Sequence, residues 1–316
     1  MNTKLTLLLL LFSIESLGQM RIDQIKTDAD VIQFVADYGM KHNMDWRKVS
    51  FDWYTGRYGM LSDRDKIHID SLRKNRWLKM DFNNDGKEDL IFSGRIYTEM
   101  ATLAFISQNG DSISLQYLGE SPSIYPTGIS TYTFDKGPNL LLVNSFKRST
   151  MSFDINDYHQ DTLVYALGGF VEFNDKHEFQ FDFDSIVYQA WSPWAASNTI
   201  RRITISENGL IRLYKYNMGQ ANDNSWPNGM RVFSASIGQL DTLRQILSIM
   251  RVKDLKSDYA VQWVSDLTTA ETMIYYKNGV KKIRDYGMQG TYGLRLFYGK
   301  LQQITRSSLT RMNDSN

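Results

Sequence analysis

Residues 81–90, DFNNDGKEDL, carry the side chains best suited to bind a metal ion. Their oxygen donors come from the side chains of Asp81, Asn83, Asp85 and Asp89 and from the main-chain carbonyl of Lys87. Ca²⁺ prefers roughly six to eight oxygen ligands supplied by a flexible loop, and Gly86 permits the sharp turn that such a loop needs. The three candidate ligand carboxylates, which fall within nine residues, would repel one another without a cation between them. The spacing therefore predicts one structural calcium site.

The same residues also suit a polar turn that needs no ion. Asn and Asp side chains accept hydrogen bonds from the backbone in Asx turns, and Asp85-Gly86 is a turn dipeptide. An EF-hand is excluded because Phe92 stands at the twelfth position, where that loop requires Glu. The flanking residues 76–80 and 89–92 also read as strands rather than helices.

The pattern D-x-N-x-D-G-x-x-D-L at residues 81–90 resembles the calcium loop of FG-GAP and VCBS-type repeats. Those loops lie between β-strands in integrin-like propellers and in many bacterial surface proteins. The resemblance implies that residues 81–90 form a calcium-binding loop between two strands. A propeller needs about four or more blades, whereas the motif occurs once; Asp154-Ile-Asn156-Asp157 lacks its Gly. The resemblance therefore supports the loop and not the propeller.

No local motif identifies catalytic residues, which stay unknown. The histidines lie far apart in the sequence, at His42, His68, His159 and His177. In residues 178–184, acidic or amide side chains alternate with phenylalanines, which predicts a strand with rings on one face and acids on the other. Asp182 and Asp184 can be hypothesised as the paired carboxylates of a glycan hydrolase, which stand about 5–9.5 Å apart. The alternative is an ordinary amphipathic strand with solvated acids.

A third hypothesis is a carbohydrate-binding module that uses exposed tryptophans, for which the candidates are Trp191, Trp194 and Trp226. The absence of catalytic motifs favours a non-enzymatic protein with a role in binding or in the cell envelope. Its partner would be a protein or a glycan. Nucleic acid is not predicted, because a net charge of +1 provides no basic excess to neutralise phosphates.

The first residues have the three parts of a secretory signal peptide. Lys4 precedes the apolar run 5–12, and Ser16 and Gly18 form a small-x-small cleavage site before Gln19. The run is much shorter than the roughly 20 residues that span a bilayer, and the chain contains no Cys to carry a lipid anchor. We therefore expect residues 1–18 to be removed and the mature protein to be secreted or periplasmic.

The remaining pattern predicts an α+β protein with two domains. Asn-Gly pairs, the strongest short hairpin signal and the usual centre of a two-residue type I′ turn, occur between strand segments at residues 109, 208 and 278. A fourth pair, at residue 228, follows Pro227 and indicates a loop. Helices are predicted after the Thr27-x-x-Asp30 and Ser62-x-x-Asp65 caps and over 239–251 and 291–305. We place a mostly β domain with short helices at 19–190, a β-β-β-α-β-β-α unit at 198–306 and a flexible tail at 307–316.

The segment from Ile200 to Arg306 resembles a domain of unknown function found in secreted bacterial proteins. The residues that carry this resemblance are IRRITISENGLIRLY, QLDTLRQILSIM and ETMIYYKNGVKKIRDYGMQGTYGLRLFYGKLQQI. The resemblance implies a fold pattern and a secreted compartment, and no activity.

Overall fold

A computed structural model describes most of the chain. The described residues are 21–46, 48–52, 63–72, 74–97, 99–108, 112–119, 127–133, 137–148, 155–175, 181–192, 199–217, 229–260 and 267–313. The predicted signal peptide, 1–18, lies outside these ranges. Within them, no helix is long and apolar enough to cross a membrane.

The described residues form four α-helices and sixteen strands, which confirms the α+β class. The helices are α1 (Asp28–Lys41), α2 (Asp63–Leu72), α3 (Ile237–Ile249) and α4 (Tyr292–Asn313), with short 3-10 turns at Ile22–Gln24 and Val252–Asp254. The strands are β1 (Val49–Ser50), β2 (Trp77–Met80), β3 (Asp89–Ile96), β4 (Glu99–Ser107), β5 (Ile113–Tyr117), β6 (Gly128–Thr133), β7 (Asn139–Arg148), β8 (Ile155–Ala166), β9 (Gly169–Glu172), β10 (Ser185–Trp191), β11 (Thr199–Ser206), β12 (Leu210–Asn217), β13 (Gly229–Ser234), β14 (Asp258–Ala260), β15 (Thr269–Tyr276) and β16 (Gly279–Tyr286).

The first compact unit, Met1–Thr131 with Val143–Phe146, contains a five-stranded sheet in the order β1-β3-β4-β5 with β2 also paired to β3. Helix α1 begins at the predicted cap, where the Thr27 hydroxyl accepts a hydrogen bond from the Asp30 N–H. Its apolar side packs on the sheet, and the rings of Phe34 and Phe105 meet edge to face at 5.2 Å. This packing forms the core of the first unit, which includes Leu90 and Phe92 of β3.

The second compact unit, Tyr132–Leu142 with Lys147–Asn316, contains a seven-stranded sheet in the order β13-β12-β11-β10-β15-β16-β14. Helices α3 and α4 pack on the sheet through one apolar core, whose members include Ile203, Leu243 and Phe297. The predicted β-β-β-α-β-β-α order is confirmed, with the three-residue β14 as an addition before β15. A four-stranded sheet has the order β6-β7-β8-β9.

Two predicted boundaries differ from the structure. Strands β10 and β11 pair with each other from Ser185↔Ser206 to Ala190↔Arg201, so a boundary between 190 and 198 would divide one sheet. The predicted flexible tail from Ser307 is instead helical as far as Asn313. No Gly or Pro follows Gly299 to stop the helix.

The hairpin at Asn208-Gly209 joins β11 to β12 as predicted, but with a different turn. Gly209 has φ +85°, its N–H donates to the Ser206 carbonyl at 2.8 Å, and Asn208 Oδ1 accepts from the Leu210 N–H at 3.1 Å. This is a three-residue loop that ends in a left-handed glycine, rather than a two-residue type I′ turn.

Replacing a core residue of α3 tests the packing of the second unit. Leu243 is fully buried, so Leu243→Ala should lower the free energy of unfolding by about 2–5 kcal/mol. Gln245→Ala, at an exposed position of the same helix, should change it by less than about 0.5 kcal/mol. Urea unfolding followed by circular dichroism measures both, and equal effects of the two changes would contradict this core.

Candidate metal site

The predicted calcium loop joins two paired strands. Met80, the last residue of β2, lies opposite Asp89, the first residue of β3. Between them, Asn84 and Gly86 adopt the left-handed backbone conformation, with φ +56° and +82°. Gly tolerates this conformation at no steric cost and Asn more readily than most residues. The pairing and the two left-handed residues turn the chain back on itself within the eight residues 81–88.

Carboxylates in the loop accept hydrogen bonds from the loop's own backbone. Asp81 Oδ1 accepts from the Asp85 N–H at 3.1 Å, and Asp81 Oδ2 accepts from the Gly86 N–H at 2.9 Å. The Asp85 N–H is shared with Asn83 Oδ1 at 3.1 Å. Asp85 Oδ1 in turn accepts from the Lys87 N–H at 3.0 Å. These bonds wrap the loop around the Asp81 carboxylate and match the Asx turns expected as the ion-free alternative.

Asp89 is the buried member of the loop, with no solvent-exposed surface. Its Oδ2 accepts from the Phe82 N–H and its Oδ1 from the Ser107 N–H, both at 2.8 Å. Burial raises the pKa of Asp89 to about 6, against the opposing effect of these two hydrogen bonds. The nearby charges of Asp81 and Asp85 raise the pKa further. The carboxylate therefore anchors the loop while carrying an electrostatic cost when it is ionised.

Ser107, at the end of β4, is a partner of the loop that the local sequence pattern did not reveal. Besides donating its N–H to Asp89, it donates its hydroxyl to the Glu88 carbonyl at 2.8 Å. Its own carbonyl accepts from Asn83 Nδ2 at 2.7 Å. Asn83, Glu88 and Asp89 are thus all bound to one residue of the neighbouring strand.

Lys87 forms one hydrogen bond within the loop and one to the residue that follows β4. Its N–H donates to Asp85, and its ammonium group donates to the Gln108 carbonyl at 3.3 Å. Across the described ranges, no three His, Asp or Glu side chains lie together as a ready-made metal-binding group. The five predicted residues lie in one loop, where the carboxylates of Asp81, Asp85 and Asp89 accept hydrogen bonds from backbone N–H groups and do not form such a group.

A cavity of about 280 Å³ lies beside the loop. Its lining includes Gly86, Lys87 and Glu88 from the loop and Arg21 and Asp23 from the start of the described chain. Glu88 also forms an ion pair with Lys79 at 2.5 Å. The loop is therefore bordered by solvent-accessible space on the side of Gly86.

The two acidic residues of the alternative hydrolase site lie at solvent-exposed positions. Residues 178–180 of the predicted strand lie outside the described residues. In the remainder, Phe181 and Phe183 are buried and Asp182 and Asp184 are exposed, but these residues are not a strand, because β10 begins at Ser185. Asp182 lies 3.7 Å from the Arg244 guanidinium. An exposed carboxylate lacks the apolar enclosure that surrounds the general acid of a glycosidase.

Of the three candidate tryptophans, the described residues include Trp191 alone. Trp191 is half-buried at the end of β10. Trp194 and Trp226 lie outside the described residues. The surface that a sugar-binding module would need is therefore not defined by these three side chains.

Comparison with known proteins adds no relative, since no protein-family model, no curated protein and no solved structure matches this chain.

The raised pKa of Asp89 has a consequence for stability in calcium-free buffer. Its folded pKa of about 6 lies above the ordinary value of 3.8, so the folded state binds the extra proton between these values. Stability from this group is therefore present at low pH and is lost as the pH rises through about 6. The difference amounts to about 3 kcal/mol.

Urea unfolding between pH 4 and pH 7 in EDTA measures this effect against the Asp89→Asn variant, which cannot ionise. The free energy of unfolding of the wild-type protein, relative to that of the variant, should decrease as the pH rises. If this difference in the free energy of unfolding stayed constant or increased across that range, the result would contradict the raised pKa of Asp89.

Proposed function

We propose that residues 81–89 bind one calcium ion and that this ion stabilises the first unit of a secreted, non-enzymatic binding protein. The observation that supports the ion most directly is the buried Asp89 carboxylate, with Asp81 and Asp85 close enough to disfavour its charge. A divalent cation that drew these three carboxylates together would convert this repulsion into attraction. Calcium is the appropriate ion because every donor in the loop is a hard oxygen.

The donor set is chemically suited to calcium. The ligands would be the side-chain oxygens of Asp81, Asn83, Asp85 and Asp89 and the Lys87 carbonyl. An ionised carboxylate has about four acceptor sites, and Asp85 Oδ1 takes one of them for the Lys87 N–H. A Cβ atom placed on Gly86 would meet no other atom within 4 Å, so the loop has open space at its turn. The bound ion would neutralise charge and cross-link the loop, and it would carry out no reaction.

The magnitude of the effect is consistent with a structural role. Extracellular calcium modules bind with Kd values of about 10⁻⁴ to 10⁻³ M. At a hundredfold excess over Kd, one bound ion adds about 2.7 kcal/mol to stability. This is comparable to the cost of keeping Asp89 ionised, so calcium would offset most of that cost.

The secreted location and the binding role are supported mainly by the sequence. The predicted signal peptide and the resemblance to secreted bacterial domains favour an extracellular or periplasmic location, where millimolar calcium is common. The exposed Asp182 and Asp184 provide no enclosed site for catalysis. A binding or envelope-associated role therefore agrees better with the described surface than hydrolysis does.

Scanning calorimetry with and without calcium tests the ion. At a hundredfold excess over Kd, calcium should raise the Tm of the first unit by roughly 5–15 °C relative to EDTA. Asp85→Asn removes one charged ligand and should abolish most of this rise. Asp52→Asn, at an exposed carboxylate in the same unit, should keep it. Magnesium should have a much smaller effect, because it requires stricter octahedral geometry.

Equal melting temperatures in calcium and in EDTA for the wild-type protein would remove the ion from the proposal. The loop would then be an Asx-turn hairpin held only by its hydrogen bonds to the backbone and to Ser107. An equal calcium effect in the Asp85→Asn and Asp52→Asn variants would place the ion elsewhere in the chain.

A further inference from the structure

The seven-stranded sheet of the second unit has two chemically different faces. Strand side chains alternate between faces, and Ile203, Ile211 and Leu213 belong to the core that includes α3 and α4. Arg202, Arg212 and Tyr214 must then lie on the opposite face. We call that opposite face of β10–β13, β15 and β16 the basic face.

The basic face has more positive than negative side chains. Arg202, Arg212, Lys282 and Arg284 are exposed on it. The acidic residues described on the same side of the sheet are Glu271 and, on the neighbouring β14, Asp258, both opposite Arg284 in the register. Arg284 is paired with Asp258 at 3.3 Å. Within the described ranges, Arg202, Arg212 and Lys282 form no ion pair. Their charge is therefore available to a partner from outside the chain.

Large apolar side chains lie beside these charges. Met230 is 64% exposed, Val232 45% and Tyr214 44%. The strand register places Tyr214 opposite both Arg202 and Met230, and Arg212 opposite Val232. The result is one continuous patch across β11, β12 and the edge strand β13. Contiguous exposed apolar groups of this kind mark interaction sites in soluble proteins.

The composition of the patch favours a protein as the partner. Tyr, Met and Arg are enriched in protein–protein interfaces, and Tyr and Arg supply much of the binding energy there. Small-molecule sites are instead concave, whereas this patch lies on the open face of a sheet. The positive charge requires carboxylates on the partner, since complementary potentials give specificity and speed association.

We propose that the basic face docks an acidic protein partner through Arg202, Arg212 and Tyr214. The carboxylates of the partner pair with the two guanidinium groups, and its apolar side chains cover Tyr214, Met230 and Val232. The inference rests on the proposed binding role and names the chemistry of its partner. It does not depend on the calcium loop, which belongs to the first unit.

Binding of labelled polymers to the full mature chain tests this proposal. The probe is a fluorescent glutamate–tyrosine copolymer, compared at physiological salt with poly-glutamate and with polygalacturonate of similar length. The copolymer should bind about fivefold more tightly than poly-glutamate, because only the copolymer offers apolar rings. Polygalacturonate should bind more weakly than the copolymer. Running each titration in calcium and in EDTA separates this result from the outcome for the loop.

Charge-reversed variants locate the binding surface. The Arg202→Glu/Arg212→Glu variant should weaken copolymer binding about tenfold or more, and Tyr214→Ala about fivefold. The control is the Lys26→Glu/Lys41→Glu variant, which changes exposed positions of the first unit and makes the same change in net charge. Its affinity for the copolymer should stay within about twofold of the wild-type affinity. Arg202→Gln/Arg212→Gln, which adds no negative charge, should show a smaller loss of the same sign and guards against misfolding of the reversed variant.

Three results would overturn the proposal. The first is that the wild-type chain does not bind the copolymer even when the copolymer is at millimolar concentration. Another is an equal loss in the face and control variants, which would indicate attraction by net charge alone. The third is polygalacturonate binding as tight as copolymer binding, which would assign the basic face to an anionic glycan.

Discussion

The buried carboxylate of Asp89 is the interaction on which the loop of the first unit depends. It accepts the Phe82 and Ser107 N–H groups and so ties the loop both to its own start and to the end of β4. Removing a carboxylate from water is costly, and the charges of Asp81 and Asp85 increase that cost. The chain therefore retains a group that favours either a proton or a cation. At neutral pH and millimolar calcium, the cation would be the more available of the two.

The two units differ in how their sheets are covered. In the first, α1 packs on the sheet and shares a core with β3 and β4. In the second, α3 and α4 share a core with one face of a seven-stranded sheet, and the other face presents arginines beside exposed Tyr214 and Met230. An antiparallel sheet commonly has one solvated face. Here that face is apolar and basic enough to be a surface for a partner.

Local patterns in the sequence predicted the helices, strands and loops more successfully than they predicted which distant segments contact each other. The alternation of Asp81, Asn83 and Asp85 around a glycine predicted a loop between strands, and the Thr27 cap predicted the start of α1, because both depend on residues close in sequence. Ser107 was missed because it stands 18 residues from Asp89. The predicted boundary near residue 190 would divide one sheet, because β10 pairs with the consecutive strand β11 and also with β15, where Trp191 and Thr269 are 78 residues apart.

The most direct test of the central claim is a carboxyl NMR titration of Asp89 in the mature protein, carried out once in EDTA and once in saturating calcium. We predict a pKa of about 6 in EDTA, where burial and the two neighbouring carboxylates disfavour the charge. In calcium the pKa should fall well below that value, because the bound ion stabilises the ionised form. The same pKa under both conditions would contradict calcium binding at this loop.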